Sequence, residues 1–393
     1  MEYKPKKYHI MTFGCQANAA DSSTMAGVLE ALGLEKTENY LESDVLIINT
    51  CSVRQKSEDK VYGLGKELKR AKNRPFIIMA GCMVGSVTGD RQRYELAELK
   101  KKTPWVSEYI NPSGISKLPD ILKKRGLIGE WAEGAVFPRV DNPEENREIG
   151  YVNISFGCDN FCRFCVVPYA RGKEISRSEE EITREVKHLL NRGFKHIMLC
   201  GQNVNSWGLS WDEKFEIRSG SDQKLPFADL LRNIHELEGL ERLNFISSNP
   251  FDFTEDLIDA ISLPKVDNFL HIAVQSGNND VLKSMNRRHT IEEFITLLNR
   301  IKEVKPGVEF GTDIIVGFPG ETREQFMDTV KLFEQIPFNV AFISIYSQRP
   351  GTPAEKLYED DVSRKEKSYR HGYLTEVWKK TRPESTRKGS EFL

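Results

Sequence analysis

The stretch Cys158-Asp-Asn-Phe-Cys162-Arg-Phe-Cys165 constrains this chain more than any other, because it sets three thiols on one short loop at spacings of four and three. It follows directly on an apolar, β-rich run that ends at Phe156. Soft sulfur ligands suit iron–sulfur centres, and three thiolates on a tight loop can hold three irons of a 4Fe-4S cluster. The fourth iron is then left without a protein ligand, open to a small chelating substrate. The competing arrangement is a zinc knuckle completed by a distant His or by Cys200, but zinc motifs usually pair two CxxC-type units and only one is present. The seven cysteines are odd in number and no secretion signal precedes them, which argues against a disulfide framework and for metal or redox chemistry.

The rest of the sequence predicts an α/β scaffold for that loop. Strand-like runs at Tyr8 to Phe13, Val45 to Asn49, Phe76 to Ala80 and Val106 to Ile110 alternate with helical segments at Asp21 to Leu32, Ser57 to Lys72, Tyr94 to Lys102 and Ile115 to Lys124. This is the rhythm of a doubly wound parallel sheet, expected over 7–128. A linker containing Pro138 and Pro143 is expected over 129–148. Beyond it, over 149–375, six β-rich runs (Tyr151 to Phe156, His196 to Leu199, Arg242 to Ile246, Phe269 to Ala273, Glu309 to Val316, Val340 to Tyr346) are mostly separated by helical segments. Six parallel βα units predict a (β/α)6 barrel or part of one. The polar stretch Ser206 to Lys224 reads as a surface insertion.

Cys15, Cys51 and Cys82 each fall one or two residues after a predicted parallel strand. The carboxyl ends of such strands share one edge, where ligands bind, so the fold brings the three together. Gly14 and Gly81 allow the backbone to turn tightly there. A second cluster with three protein ligands and an open iron is the inference; three buried thiols that happen to end strands are the alternative. Cys200 ends a strand without cysteine companions and reads as an inert thiol.

Composition narrows the partners. With 39% hydrophobic and 29% charged residues the chain is globular, and its apolar runs fall far short of the ~20 residues of a membrane span. A cytoplasmic protein with no membrane partner is expected. Net charge is −2, so nucleic acid would have to be met by local patches. Ser363 to Lys388 carries nine Lys and Arg against three Glu. Tyr369, Tyr373 and Val377 give that segment an apolar stripe at helical spacing, predicting that its basic side faces outward. Residues 376–393 form a basic tail.

The CxxxCxxC loop, with Phe164 before its last Cys and placed after the first barrel strand, resembles the radical S-adenosylmethionine superfamily. That resemblance implies that S-adenosylmethionine chelates the open iron and is cleaved by one electron to methionine and a 5′-deoxyadenosyl radical. Two clusters in this order resemble the methylthiotransferases. Gly14-Cys15-Gln16-Ala17-Asn18, Asn49-Thr50-Cys51-Ser52-Val53-Arg54 and Gly81-Cys82-Met83 are similar to the MiaB-type tRNA methylthiotransferases. So are Gly201-Gln202-Asn203-Val204-Asn205, Val274-Gln275-Ser276-Gly277 and the run from Thr312 to Glu321. The resemblance covers roughly residues 8–360. Ribosomal-protein methylthiotransferases usually carry Pro-Lys-Asn after the first Cys, where this chain has Gln-Ala-Asn, and lack the Gln-Asn-Val-Asn run. Ala17 stands where the family commonly has Met, and the carboxy-terminal TRAM β-barrel is expected to be absent, because the chain stops at Leu393.

By this resemblance the cofactors are two 4Fe-4S clusters and S-adenosylmethionine. Cys158, Cys162 and Cys165 hold the catalytic cluster and Cys15, Cys51 and Cys82 the auxiliary one. Phe164, Gln202, Gln275, Ser276 and Asp313 are assigned to S-adenosylmethionine, because the last four end or follow barrel strands, where site residues of such folds collect; capping of backbone is their structural alternative. The implied reaction places CH3S at C2 of isopentenyladenosine next to the tRNA anticodon, with a second S-adenosylmethionine supplying the methyl group. Implied partners are the anticodon stem-loop of tRNA, an electron donor such as flavodoxin or ferredoxin, and a sulfur source. Arg163, Arg171, Lys173, Arg177, Arg287, Arg288 and His289 are candidates for tRNA phosphate. Ribosomal-protein methylthiolation, and a non-catalytic iron–sulfur protein that binds RNA or senses redox state, are the alternatives.

Overall fold

The computed structural model describes residues 6–53, 55–68, 74–131, 149–217 and 219–384. Most of the expected linker and the end of the basic tail lie outside the described residues. Two compact units are present. The first contains the described residues up to 131 together with Gly157–Asp159 and Cys165–Lys173; the second contains the remainder.

In the first unit the chain runs β1 (Lys7–Thr12), α1 (Gln16–Ala31), β2 (Glu35–Lys36), β3 (Val45–Thr50), α2 (Gln55–Leu68), β4 (Phe76–Gly81), α3 (Cys82–Thr88), α4 (Leu96–Lys102), β5 (Glu108–Ile110) and α5 (Leu118–Lys124). The five strands are parallel in the order β2-β1-β3-β4-β5. Every residue of β3 is buried, and the period of two explains why. Val45 and Ile47 join Met25, Val28, Leu29, Leu118 and Leu122 on one face, while Leu46 and Ile48 join Val61, Met83, Val87 and Leu99 on the other. Chain order reverses between β1 and β3, the crevice where open α/β sheets bind ligands at the carboxyl ends of their strands.

Helix α1 starts at Gln16, well before the predicted Asp21. Its buried face carries Asn18, Asp21, Ser22 and Ser23 as well as Met25, Val28 and Leu29, so its first turns show no apolar period. Helix α3 is a further element that the apolar pattern did not announce, since Cys82-Met-Val-Gly-Ser-Val is buried all round.

The second unit contains β6 (Ile149–Asn153), β7 (Ser155–Phe156), β8 (Ile175–Ser176), α7 (Glu179–Asn191), β9 (His196–Cys200), α8 (Trp211–Glu216), α9 (Pro226–His235), β10 (Arg242–Phe245), α10 (Glu255–Ile261), β11 (Phe269–His271), α11 (Asn279–Ser284), α12 (Ile291–Val304), β12 (Glu309–Val316), α13 (Arg323–Gln335), β13 (Val340–Ile345), α14 (Pro353–Leu357) and α15 (Arg364–Thr381); the short α6 (Val167–Ala170) belongs to the first unit. Strands β6, β9 and β10 form one parallel sheet and β11, β12 and β13 another. Parallel bridges from Leu243 to Val266 and from Ser248 to Ile272 join them into a six-strand partial barrel. One apolar core, including Val152, Leu199, Phe245, Leu270, Ile314 and Phe333, fills the space between strands and helices.

The predicted first strand, Tyr151 to Phe156, is divided. β6 stops at Asn153, and Ser155–Phe156 leaves the sheet to pair antiparallel with Ile175–Ser176. The stretch at 206–224 is also more ordered than an insertion: Trp207 is buried, with Nε1 donating to the Arg177 carbonyl at 3.0 Å, and Ser210 and Glu213 box the start of α8.

Helix α15 corrects an expectation. Tyr369 and Tyr373 are 50% and 41% exposed, while Lys367 and Arg370 are buried. The reason is pairing. Arg370 donates from Nη1 to the Glu321 carboxylate and carbonyl, both at 2.8 Å, and Lys367 reaches Asp360 at 2.5 Å. Burial pushes the Glu321 carboxyl above the usual range, although the Gly317 N–H and Arg370 oppose the shift. Removing one partner of a buried pair typically costs about 3–5 kcal/mol. Arg370→Met is therefore expected to lower unfolding stability at neutral pH by about that amount. Glu321 without its cation would take up a proton more readily folded than unfolded, so the deficit is present above the folded-state pKa and shrinks as pH falls through it. Urea unfolding across mildly acidic to neutral pH checks this; a deficit independent of pH would place its source elsewhere.

Candidate metal centres

β1, β3 and β4 are adjacent, and registered pairs Thr12↔Asn49 and Thr50↔Gly81 align their carboxyl ends. Cys15 caps α1 two residues beyond Phe13, Cys51 follows β3, and Cys82 is the first residue of α3. Gly81 turns into α3 at φ 88°, and a Cβ there would meet the Thr50 carbonyl oxygen at 2.4 Å. A glycine is required at that corner.

Beneath the cysteines lies a buried polar layer. Asn18 Nδ2 donates to Asn49 Oδ1 and to the Thr50 carbonyl, each at 3.0 Å. Asn49 Nδ2 returns to the Asn18 carbonyl at 2.8 Å and to Ser22 Oγ at 2.9 Å. In the sequence Asn18 and Asn49 stand only as positions of the cysteine motifs; the structure makes them the reciprocal clamp that joins the Cys15 turn to the Cys51 turn.

Cys51 and Cys82 are buried and Cys15 is exposed. Burial pushes the Cys82 thiol up to about 11; the Arg171 guanidinium opposes this, while Cys51 and Cys15 add to it. The Val53 N–H donates to Cys51 Sγ at 3.4 Å. Among the described residues no three His, Cys, Asp or Glu side chains close around a single metal ion. A cubane is ligated differently: each thiolate takes a separate iron, so the sulfurs stand apart around a larger body. Three thiols on adjacent strand ends, with one face open at Cys15, fit that donor set.

The 158–165 loop is held from both of its ends. In the first unit the Cys158 N–H donates to the Gly172 carbonyl at 3.3 Å, and Asp159 accepts from Arg91 at 2.5 Å. The Val167 N–H donates to Cys165 Sγ at 3.4 Å. In the second unit Phe161 adopts φ 47°, and the Arg287 guanidinium donates to Cys162 Sγ at 3.5 Å, to Asn249 Oδ1 at 2.7 Å and to the Ala273 carbonyl at 2.6 Å. Hydrogen bonds to ligand sulfur tune iron–sulfur potentials, and both kinds of donor, amide and guanidinium, are in place.

The other residues assigned from sequence separate into kinds. Gln202 Oε1 is buried with no hydrogen-bond partner. Gln275 is buried at φ 77°, its backbone tied to Asp313 and Ile315 of β12. Asp313 lies 3.5 Å from His271 Nε2. Ser276 is fully buried and its Oγ accepts from the Asn278 N–H at 3.3 Å, a backbone-capping role. Phe164 packs with Val281, Met285, Phe318 and Tyr358. Cys200 is buried, with its thiol on the Met198 carbonyl.

Of the seven phosphate candidates, Lys173 alone is exposed. Arg163 is spent on Tyr358 and the Ser284 carbonyl, Arg177 on Glu185 and the Asn153 carbonyl, and Arg288 on Asp252 and the Lys214 carbonyl. The side chain of Arg171 and the whole of Arg287 are buried. His289 is buried against Phe251, and burial followed by Arg287 holds its imidazole well below the usual pKa. A cavity of about 510 Å³ lined by Asp44, Arg74 and Phe76 opens at the amino ends of β3 and β4, the edge away from the cysteines.

Residues 152–333 match the Radical SAM superfamily and residues 7–106 match Uncharacterized protein family UPF0004. A tRNA-2-methylthio-N(6)-dimethylallyladenosine synthase from Clostridium beijerinckii is 38% identical over 384 residues, covering 95% of this chain and 80% of the relative. One from Clostridium botulinum strain Alaska E43 is 40% identical over 370 residues, covering 90% and 76%. Among solved structures, the radical S-adenosylmethionine methyltransferase TsrM from Kitasatospora setae, with cobalamin and a [4Fe-4S] cluster bound, aligns at TM-score 0.62 and 16% identity over 90% of this chain and 77% of that one. The cobalamin-dependent radical enzyme OxsB aligns at 0.55 and 14% over 97% and 57%. At such identities these two structures speak to the fold. No helix among the described residues is long and apolar enough to cross a membrane.

Proposed function

The chain belongs to the family of the tRNA-2-methylthio-N(6)-dimethylallyladenosine synthases, and from that premise we propose how its residues divide the work. The reaction is methylthiolation of N6-isopentenyladenosine in tRNA, at C2 of the adenine next to the anticodon. The groups it needs, two 4Fe-4S clusters and S-adenosylmethionine, supply one-electron cleavage to a 5′-deoxyadenosyl radical on one side and a CH3S donor on the other.

Cys158, Cys162 and Cys165 hold the cluster that takes S-adenosylmethionine. Arg287 and the Val167 N–H support its thiolates, and the strained turn at Phe161 fixes the loop. Gln202, with its unpartnered buried oxygen, and Gln275 orient S-adenosylmethionine beyond the carboxyl ends of β9 and β11; Asp313, which lies inside β12 and not at its end as the sequence suggests, acts from within the strand beside His271, Ser276 supports Gln275 through the Asn278 turn, and Phe164 excludes water. Cys15, Cys51 and Cys82 hold the donor cluster on the clamp made by Asn18 and Asn49. The cytoplasm, an electron donor such as flavodoxin or ferredoxin and a sulfur source complete the setting. The methylthiotransferase amino-terminal domain over 7–128 and the radical barrel over 149–375 are the two working parts.

The observation that carries this reading is the union of three cysteines on adjacent strand ends with a separate three-cysteine loop in one chain. Its test is mass spectrometry of nucleosides from isopentenylated tRNA after anaerobic turnover. The product should gain one carbon, two hydrogens and one sulfur, with unmodified tRNA and ribosomal protein left unchanged. A modified ribosomal protein beside untouched tRNA would move the enzyme to the other substrate class.

A further inference from the structure

Arg171 was a candidate for tRNA phosphate, yet its side chain is only 3% exposed and its Nη2 donates to Asp21 Oδ2 at 2.8 Å. Asp21 is itself buried on α1, the helix that Cys15 caps. The second terminal nitrogen, Nη1, is buried without a hydrogen-bond partner. The guanidinium lies among Asp21, Cys82 and Cys15, whose negative character outweighs the burial that would otherwise favour its neutral form. It is thus a fixed cation facing the cysteines of the first unit, close enough to the Cys82 thiol to hydrogen-bond it in favour of the thiolate, while Nη1 keeps no partner of its own.

Its placement is enforced by backbone packing. α6 lies so close against α3 that a Cβ on Gly85 would stand 1.8 Å from the Ala170 carbonyl oxygen. One residue beyond Arg171, Gly172 accepts the Cys158 N–H, and a Cβ on Gly157 would meet the Lys173 carbonyl oxygen at 2.1 Å. The segment that closes the radical loop therefore also carries the arginine that reaches the second set of cysteines.

We propose that Arg171 is a positioning residue for the sulfur-donor centre, where its charge compensates the thiolates of Cys15, Cys51 and Cys82 and its free Nη1 hydrogen-bonds a sulfur of the bound cluster. Asp21 orients the guanidinium and moderates its charge. A cluster with three thiolates and a further anionic sulfur is electron-rich, and a buried cation beside it favours the reduced form. This rests on the two-cluster reading above.

The test uses the reconstituted chain carrying Cys158→Ala, Cys162→Ala and Cys165→Ala, which leaves only the second centre. Midpoint potential is followed by EPR, with iron counted per chain. Arg171→Gln should disfavour reduction by about tenfold or more, equivalent to about 59 mV for one electron, and Arg171→Lys should restore most of it. Asp21→Asn, which leaves the cation less compensated, should shift the potential in the opposite direction. Loss of iron from Arg171→Gln but not from Arg171→Lys would also support the requirement for a cation. Equal potentials in all variants, or shifts of one sign for Arg171→Gln and Asp21→Asn, would overturn the proposal. Absence of iron from the parent triple variant would instead overturn the two-cluster reading on which it rests.

Discussion

Cys82→Ser is expected to abolish methylthiolated product while leaving S-adenosylmethionine cleavage largely intact. Cys82 is the first residue of α3 and is buried beside the aligned ends of β3 and β4. Serine keeps the size and loses the soft donor, which iron–sulfur ligation requires. Because the 158–165 loop does not depend on this side chain, 5′-deoxyadenosine should still form when reductant is supplied. Iron should fall from about eight to about four per chain. The measurement is the ratio of methylthiolated nucleoside to 5′-deoxyadenosine, read with iron content. A variant that keeps both iron and product would remove Cys82 from the donor site; one that loses both activities would mean the two centres are not separable. Cys162→Ser should fail in the complementary way, losing cleavage and product together.

Gly85→Val is expected to do comparable damage without touching a ligand. The added Cβ would fall 1.8 Å from the Ala170 carbonyl oxygen and 2.9 Å from its carbon, both backbone atoms with no rotamer to escape through. Either α3 or α6 must move. Overpacking typically costs about 1–3 kcal/mol, and rigid backbone on both sides puts this site at the upper end or beyond. Displacing α6 also withdraws Arg171 from Cys82. The expected result is a lowered melting temperature together with poor retention of the second cluster, while Gly63→Ala, where an added Cβ meets nothing within 4 Å, should retain both. Thermal unfolding and iron content of the two variants decide it; a Gly85→Val protein with normal iron would show that the close approach is not needed for the centre.

Much of the fold could be read along the chain where local chemistry and tertiary packing agree. Ser178 with Glu181, Thr290 with Glu293 and Thr322 with Gln325 are capping boxes that mark the starts of α7, α12 and α13 within a residue. The six barrel strands are apolar runs, and β12 matches its predicted bounds. The legible part of the site was likewise local: cysteines at the ends of strands, separated by whole βα units. What could not be read was set by distant partners. Lys367 and Arg370 are buried because Asp360 and Glu321 meet them, so a stripe of tyrosines pointed to the wrong face of α15. The opening turns of α1 bury Asn18, Asp21 and Ser22 against Asn49, Thr50 and Arg171, and polar residues of that kind carry no apolar period. Arg171 looked like surface charge because its carboxylate lies 150 residues earlier. Residues 165–173 follow the linker in sequence yet belong to the first unit, held there by the close backbone contact at Gly85 and by the Arg171–Asp21 pair, both between residues far apart along the chain.

One chain carrying two clusters that act together is the central requirement of this chemistry. Anaerobic reconstitution with iron and sulfide, followed by S-adenosylmethionine, reductant and isopentenylated tRNA, tests it in a single vessel. About eight irons per chain, formation of 5′-deoxyadenosine and a methylthiolated adenosine in the tRNA are expected of two clusters that meet this requirement. Four irons or fewer, or 5′-deoxyadenosine with no methylthiolated nucleoside from the intact chain supplied with sulfur, would contradict it.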